Sequence, residues 1–123
     1  MSDFDVIVFG MLLAREGYRV LGIDRANATR LVSLASPRNL SDVVIPRTVL
    51  AEVLSVMAAR CPDALLLLDE TYLCAAYGDD VLVPSAATMS PNVDVTGSLS
   101  KCHAVPGVCI GWAITRNARP FLE

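Results

Sequence analysis

Hydrophobic positions in this chain fall into short strand-like runs separated by helical or polar stretches. Residues 6–9 form a β-branched apolar run, 11–16 a short helical stretch that Gly17 ends, and 18–23 a second strand-like run. A polar linker over 25–30 leads into an apolar strand over 31–35, closed by Ser36-Pro37. The spacing predicts the longest helix from Pro46 to about Arg60. Val49, Leu50, Val53, Leu54 and Met57 make one apolar stripe there, with Arg47, Glu52 and Arg60 off it. Proline suits the first helical position, where its missing N–H costs no bond, and Pro62 stops the helix. The wholly apolar run 64–68 predicts a strand covered on both faces. A loop containing Gly78-Asp79-Asp80 and Pro84 precedes two more strands, over 93–96 and 108–114. Strands alternating with helices predict an α/β fold, a mostly parallel sheet with flanking helices.

Composition narrows the class. The chain has 123 residues, room for one domain's core; 54% of them are hydrophobic and 19% charged, which argues against disorder. A net charge of −3 and no Lys/Arg cluster longer than two leave no basis for a nucleic-acid partner. The early apolar stretch 6–14 is too short to cross a bilayer, and Asp3 and Asp5 stand where a secretory signal needs basic residues, so a cytoplasmic protein with no membrane partner is expected. Cys61, Cys74, Cys102 and Cys109 contain no C-x-x-C pair and a single His accompanies them, so reduced, mostly packed thiols are expected and no metal site.

Ligands in an open parallel sheet bind beyond the carboxyl ends of the strands. After the strand at 31–35 comes Asn39; after 64–68 come Asp69 and Tyr72; after 93–96 come Ser98, Ser100 and Lys101. An amide, a carboxylate, a phenol, hydroxyls and an amine are thereby expected at one edge of one sheet. Taken singly, each has a plainer reading. A lone lysine is usually a solvated amine, Asp69 could cap a loop, Tyr72 could be core with a wet hydroxyl, and Asn39 is ordinary turn chemistry.

The ordered set is more specific than its parts. Ser36-Pro37-Arg38-Asn39, Leu68-Asp69-Glu70-Thr71-Tyr72, Ser98-Leu99-Ser100-Lys101 and Pro106-Gly107-Val108-Cys109-Ile110-Gly111-Trp112 follow one another over residues 31–112. Together they resemble the central part of the large domain of fold type I, class I/II aminotransferases, which use pyridoxal 5'-phosphate (PLP). The resemblance implies transamination of an amino acid through a Lys101 Schiff base, with Lys101 then acting as base for the proton shift. It further implies Asp69 on the pyridine nitrogen, Tyr72 and Asn39 on the ring's 3-oxygen, and Ser98 and Ser100 beside the cofactor. An amino acid/2-oxo acid pair is the implied substrate, and a homodimer the implied assembly.

Two departures bear on activity. The family's Asn-Pro-Thr-Gly turn reads Asn39-Leu40-Ser41-Asp42, and its phosphate-neutralising arginine, eight residues after the lysine, is Cys109. A thiol cannot replace a bidentate, permanently charged fork. The Gly-rich phosphate loop, the ring-stacking aromatic and the small domain with its substrate-carboxylate arginine have no counterpart in this sequence, and nothing marks Arg116 or Arg119 as a substitute. The chain is therefore expected to be incomplete, and weakly active or inactive alone.

Residues 3–25 resemble instead the opening β-α-β of FAD- or NAD-binding oxidoreductases, with Asp24 where the ribose-binding acid stands and only Gly10 left of the G-x-G-x-x-G turn. Without those glycines the backbone cannot approach a pyrophosphate. The expected organisation is a β-α-β-like segment over 1–30 and a partial aminotransferase large domain over 31–123, as in a chimeric, shortened or degenerate chain. The alternatives are a non-catalytic α/β remnant or interaction module and, more weakly, a FAD/NAD-linked oxidoreductase fragment.

Overall fold

The computed structural model describes residues 30–38, 43–75 and 83–116. The strand and helix expected over 6–23, and with them the β-α-β-like segment, lie outside the described residues.

Four strands form one sheet in chain order: β1 (Leu31–Ala35), β2 (Leu65–Asp69), β3 (Val93–Ser98) and β4 (Gly111–Ile114). β1, β2 and β3 run parallel, and β4 returns antiparallel to β3. Helix α1 (Arg47–Arg60) connects β1 to β2, the long crossover that parallel neighbours need. A four-residue helix, α2 (Leu99–Cys102), follows β3 directly. The α/β class and mostly parallel sheet expected from the patterning are therefore present.

The registers Val32↔Leu66 and Leu66↔Val93, with Leu34↔Leu68 and Leu68↔Val95, set these side chains in two rows on one sheet face. Against that face α1 packs Val49, Leu50, Val53 and Met57, and Ile45 and Ala86 complete the cluster. Helix α1 begins at Arg47, one residue later than expected, because Pro46 is extended (ψ 142°) and caps the helix instead of opening it; it ends at Arg60, and the N–H of Cys61 just beyond bonds the Met57 carbonyl. The expectation of a doubly covered β2 needs a correction. Leu66 and Leu68 are fully buried under α1, whereas Leu65 and Leu67, on the other face, are only half-buried.

The last strand is shorter than its apolar run. Over 106–108 the chain turns in a 3-10 helix, and Cys109 sits in the left-handed region with φ 52°. Strand pairing begins only at Gly111, opposite Ser98. Proline and the left-handed turn use up the first half of a segment whose hydrophobicity alone suggests a strand.

Candidate cofactor site

The register places Ala35, Asp69 and Thr96 side by side at the carboxyl ends of β1, β2 and β3. Backbone pairing continues one step beyond them. Ser36 N–H donates to the Asp69 carbonyl at 2.9 Å and Glu70 N–H to the Thr96 carbonyl at 2.8 Å, which keeps the three strand ends together. Asp69 is exposed, and its Oδ1 accepts from Thr71 N–H at 2.9 Å, an Asx turn that fixes the carboxylate at the rim. Tyr72 follows, half-buried, just before the 3-10 turn Leu73–Ala75.

On the neighbouring strand, β3 ends at Ser98 and α2 begins at once, so Lys101 stands one turn past the rim. Helix α2 packs against the Leu73–Ala75 turn. The Lys101 ammonium lies 5.9 Å from the centre of the Tyr72 ring, at the outer limit of a cation–π contact. Ser98 and Ser100 are half-buried on the same β3–α2 corner. Acid, phenol, amine and two hydroxyls are thus carried by the ends of two adjacent parallel strands. Asn39 lies outside the described residues.

Cys109 is exposed, two residues before β4. Leu99 N–H donates to the Ile110 carbonyl at 3.0 Å, which holds the segment preceding β4 beside the start of α2. The Cys109 thiol bonds the Pro106 carbonyl of its own turn at 3.4 Å.

Three residues that build the rim carry no sequence signal of their own. Ser36 is buried, and its Oγ accepts from Ile45 N–H at 2.9 Å, closing the loop after β1 onto the entry to α1. Glu70 Oε1 accepts from Ala86 N–H at 2.7 Å, and so clamps the segment leading to β3. Arg47 donates from Nη1 to the Pro84 carbonyl at 3.2 Å. Ser-Pro and Asp-Glu read as loop chemistry, and only long-range folding reveals their partners.

The thiols also differ from expectation. Cys74 and Cys109 are exposed, Cys61 and Cys102 half-buried, so none is fully packed. Burial pushes the Cys61 thiol pKa up. Among the described residues no cluster of His, Cys, Asp or Glu could hold a metal ion, and no helix is long and apolar enough to cross a membrane.

Residues 20–120 match the family model for aminotransferase class I and II. Among solved structures, an aminotransferase from Mycobacterium tuberculosis is similar at 32% identity and TM-score 0.64, over 76% of this chain and 25% of that one. A PLP-dependent aminotransferase from Streptococcus suis is similar at 26% identity and TM-score 0.61, over 76% of this chain and 26% of that one. An L-threonine-O-3-phosphate decarboxylase from Porphyromonas gingivalis shares the fold at 22% identity and TM-score 0.57, over 76% of this chain and 27% of that one. The chain belongs to the class I and II aminotransferase family, and it corresponds to part of the family's large domain. It spans about a quarter of the length of these relatives. The match begins at residue 20 and so overlaps residues 20–25 of the segment that resembles an oxidoreductase opening.

The family is PLP-dependent, and the donor set can be tested against that cofactor. A carboxylate, a phenol and a primary amine at one rim suit a protonated pyridine nitrogen, a ring hydroxyl and an aldehyde. The phosphate end is served less well. Ser98 and Ser100 offer hydroxyls, but Cys109 brings no charge, and its thiol is engaged within its own turn. The residues fit the ring end of the cofactor.

Proposed function

We propose that this chain is an aminotransferase-like protein that takes PLP at the β2–β3 rim, with Lys101 as the covalent anchor. The observation that carries the reading is the Lys101 ammonium facing the Tyr72 ring, three residues past an Asp69 carboxylate pinned by its Asx turn. When bound, PLP supplies an aldehyde that condenses with amines and a ring that accepts the electron pair released at an amino acid's α-carbon.

The chain's own groups do the rest. Lys101, on a short helix braced by the Leu73–Ala75 turn, would hold the cofactor through its amine and would move a proton at the substrate's α-carbon. Asp69 holds a proton on the pyridine nitrogen through a charge-assisted hydrogen bond. Tyr72 orients the ring through its 3-oxygen, together with Asn39. Ser98 and Ser100 donate to the phosphate. The substrate class is an amino acid with its 2-oxo acid, and a second copy of the chain in a homodimer could complete the site.

Titrating PLP into the protein and following the visible absorbance of the lysine adduct tests this. Saturable binding that Asp69→Asn weakens and Lys101→Ala abolishes is the expected result; absorbance identical in wild type and Lys101→Ala contradicts it. The uncharged Cys109 favours a second reading, a family member retained for its fold or its interactions without turnover. Transamination of an amino acid by the purified chain would exclude that reading.

A further inference from the structure

Two of the four thiols sit together beside the proposed lysine. Cys74 lies in the Leu73–Ala75 turn and Cys102 ends α2, the two elements packed against each other. The two thiols lie close enough to influence each other. The Cys102 thiol also donates to the Thr71 carbonyl at 3.0 Å, which gives a short chain of contacts, Cys74 to Cys102 to Thr71. Cys74 is exposed, whereas Cys102 is half-buried behind it. One sulfur reachable from solvent and a second within contact of it is the arrangement of an attacking and a resolving thiol. Cys61 and Cys109 have no such neighbour among the described residues.

We propose that Cys74 and Cys102 form a dithiol modification site, closing to an intramolecular disulfide in the presence of a low-molecular-weight disulfide such as oxidised glutathione. The Cys74 thiolate attacks one sulfur of the reagent, forms a mixed disulfide and expels the first small thiolate. Cys102 then gives up its proton, attacks the Cys74 sulfur and expels the second. Two protein thiols are oxidised, one reagent disulfide is reduced to two thiols, and the two protons leave on those products. The bridge ties the turn that follows Tyr72 to the helix that carries Lys101, at the cost of the Cys102 bond to Thr71. The inference stands apart from the cofactor reading, because it involves the sulfurs alone.

Hydrogen bonding to Cys102 and partial burial both raise the Cys74 pKa, so its thiolate is scarce near neutrality. Bridging is therefore slow there, and it accelerates about tenfold per pH unit until the thiol titrates.

The test is incubation of the full chain with oxidised glutathione, alkylation of the remaining thiols, and peptide mapping without reduction. The expected outcome is loss of two of the four alkylatable thiols, one cross-linked peptide pair joining Cys74 to Cys102, and no retained glutathione. Cys102→Ser should instead leave glutathione stably attached at Cys74. Cys74→Ser, at an exposed position, should abolish the cross-link. Recovery of Cys74 and Cys102 as separately modified peptides overturns the proposal, as do bridges that recruit Cys61 or Cys109 or join two chains.

Discussion

Lys101 carries its amine on a helix too short to be stable alone, so its position depends on the turn that α2 packs against. At Cys109 the family resemblance implies a phosphate-binding arginine. Restoring a guanidinium there should return the missing charge at the phosphate. Charge-assisted hydrogen bonds are worth about 1.5–3 kcal/mol, so Cys109→Arg is expected to tighten PLP binding by about tenfold or more. Unchanged affinity in the same absorbance titration would mean that the phosphate is not placed at this corner. Asp94 offers a test away from the site. It is buried near the start of β3, and its Oδ1 has no hydrogen-bond partner among the described residues. A buried acceptor without a partner costs about 1–3 kcal/mol. Asp94→Val, which suits a strand position, should therefore raise the urea midpoint. A lowered midpoint would show that the carboxylate is engaged.

At the scale of elements, the three parallel strands were legible because their runs are short, β-branched or leucine-rich and closed by Pro or polar residues. β1 begins and ends where its pattern does, and β2 and β3 run one or two residues further, because pairing carries the chain on to Asp69 and Ser98. α1 was legible from its stripe and its two prolines. Hydrophobicity misreads 108–110, where backbone torsion decides. The clamps at Ser36 and Glu70 were invisible for another reason: their partners lie nine and sixteen residues away in sequence. Two substitutions test the packing. Leu66 is fully buried between α1 and its neighbouring strands, so Leu66→Ala should cost about 2–5 kcal/mol in a denaturant titration. Gly97 has a different constraint, since a Cβ there would lie 2.6 Å from the Trp112 indole. Gly97→Ala must push β4 or its tryptophan aside. Trp112 is the single tryptophan, so a shifted emission spectrum with lowered stability is expected, and an unchanged spectrum would contradict the contact.

For the whole molecule, the last strand of the sheet among the described residues carries an apolar border. Ile110, Trp112 and Ile114 are 50%, 41% and 48% exposed on and beside β4. An edge strand with open backbone groups and large apolar side chains is a template for association. Sedimentation should show self-association that rises with protein concentration and falls in Ile114→Lys. A wild-type chain monomeric throughout would contradict this. The family resemblance was readable at this scale because four separated motifs keep their order. The ends of β1, β2 and β3 lie together because these strands are parallel neighbours in sequential order, which no single motif states; the fourth motif leads into the antiparallel β4.

Reductive trapping tests the central claim most directly. The protein is mixed with PLP and treated with borohydride, and the pyridoxyl group is located by peptide mass spectrometry. A rim that brings Asp69 and Tyr72 to Lys101 predicts label concentrated on Lys101 and lost in Lys101→Ala. Label spread over the chain's other amines, with Lys101 no richer than they are, would contradict it.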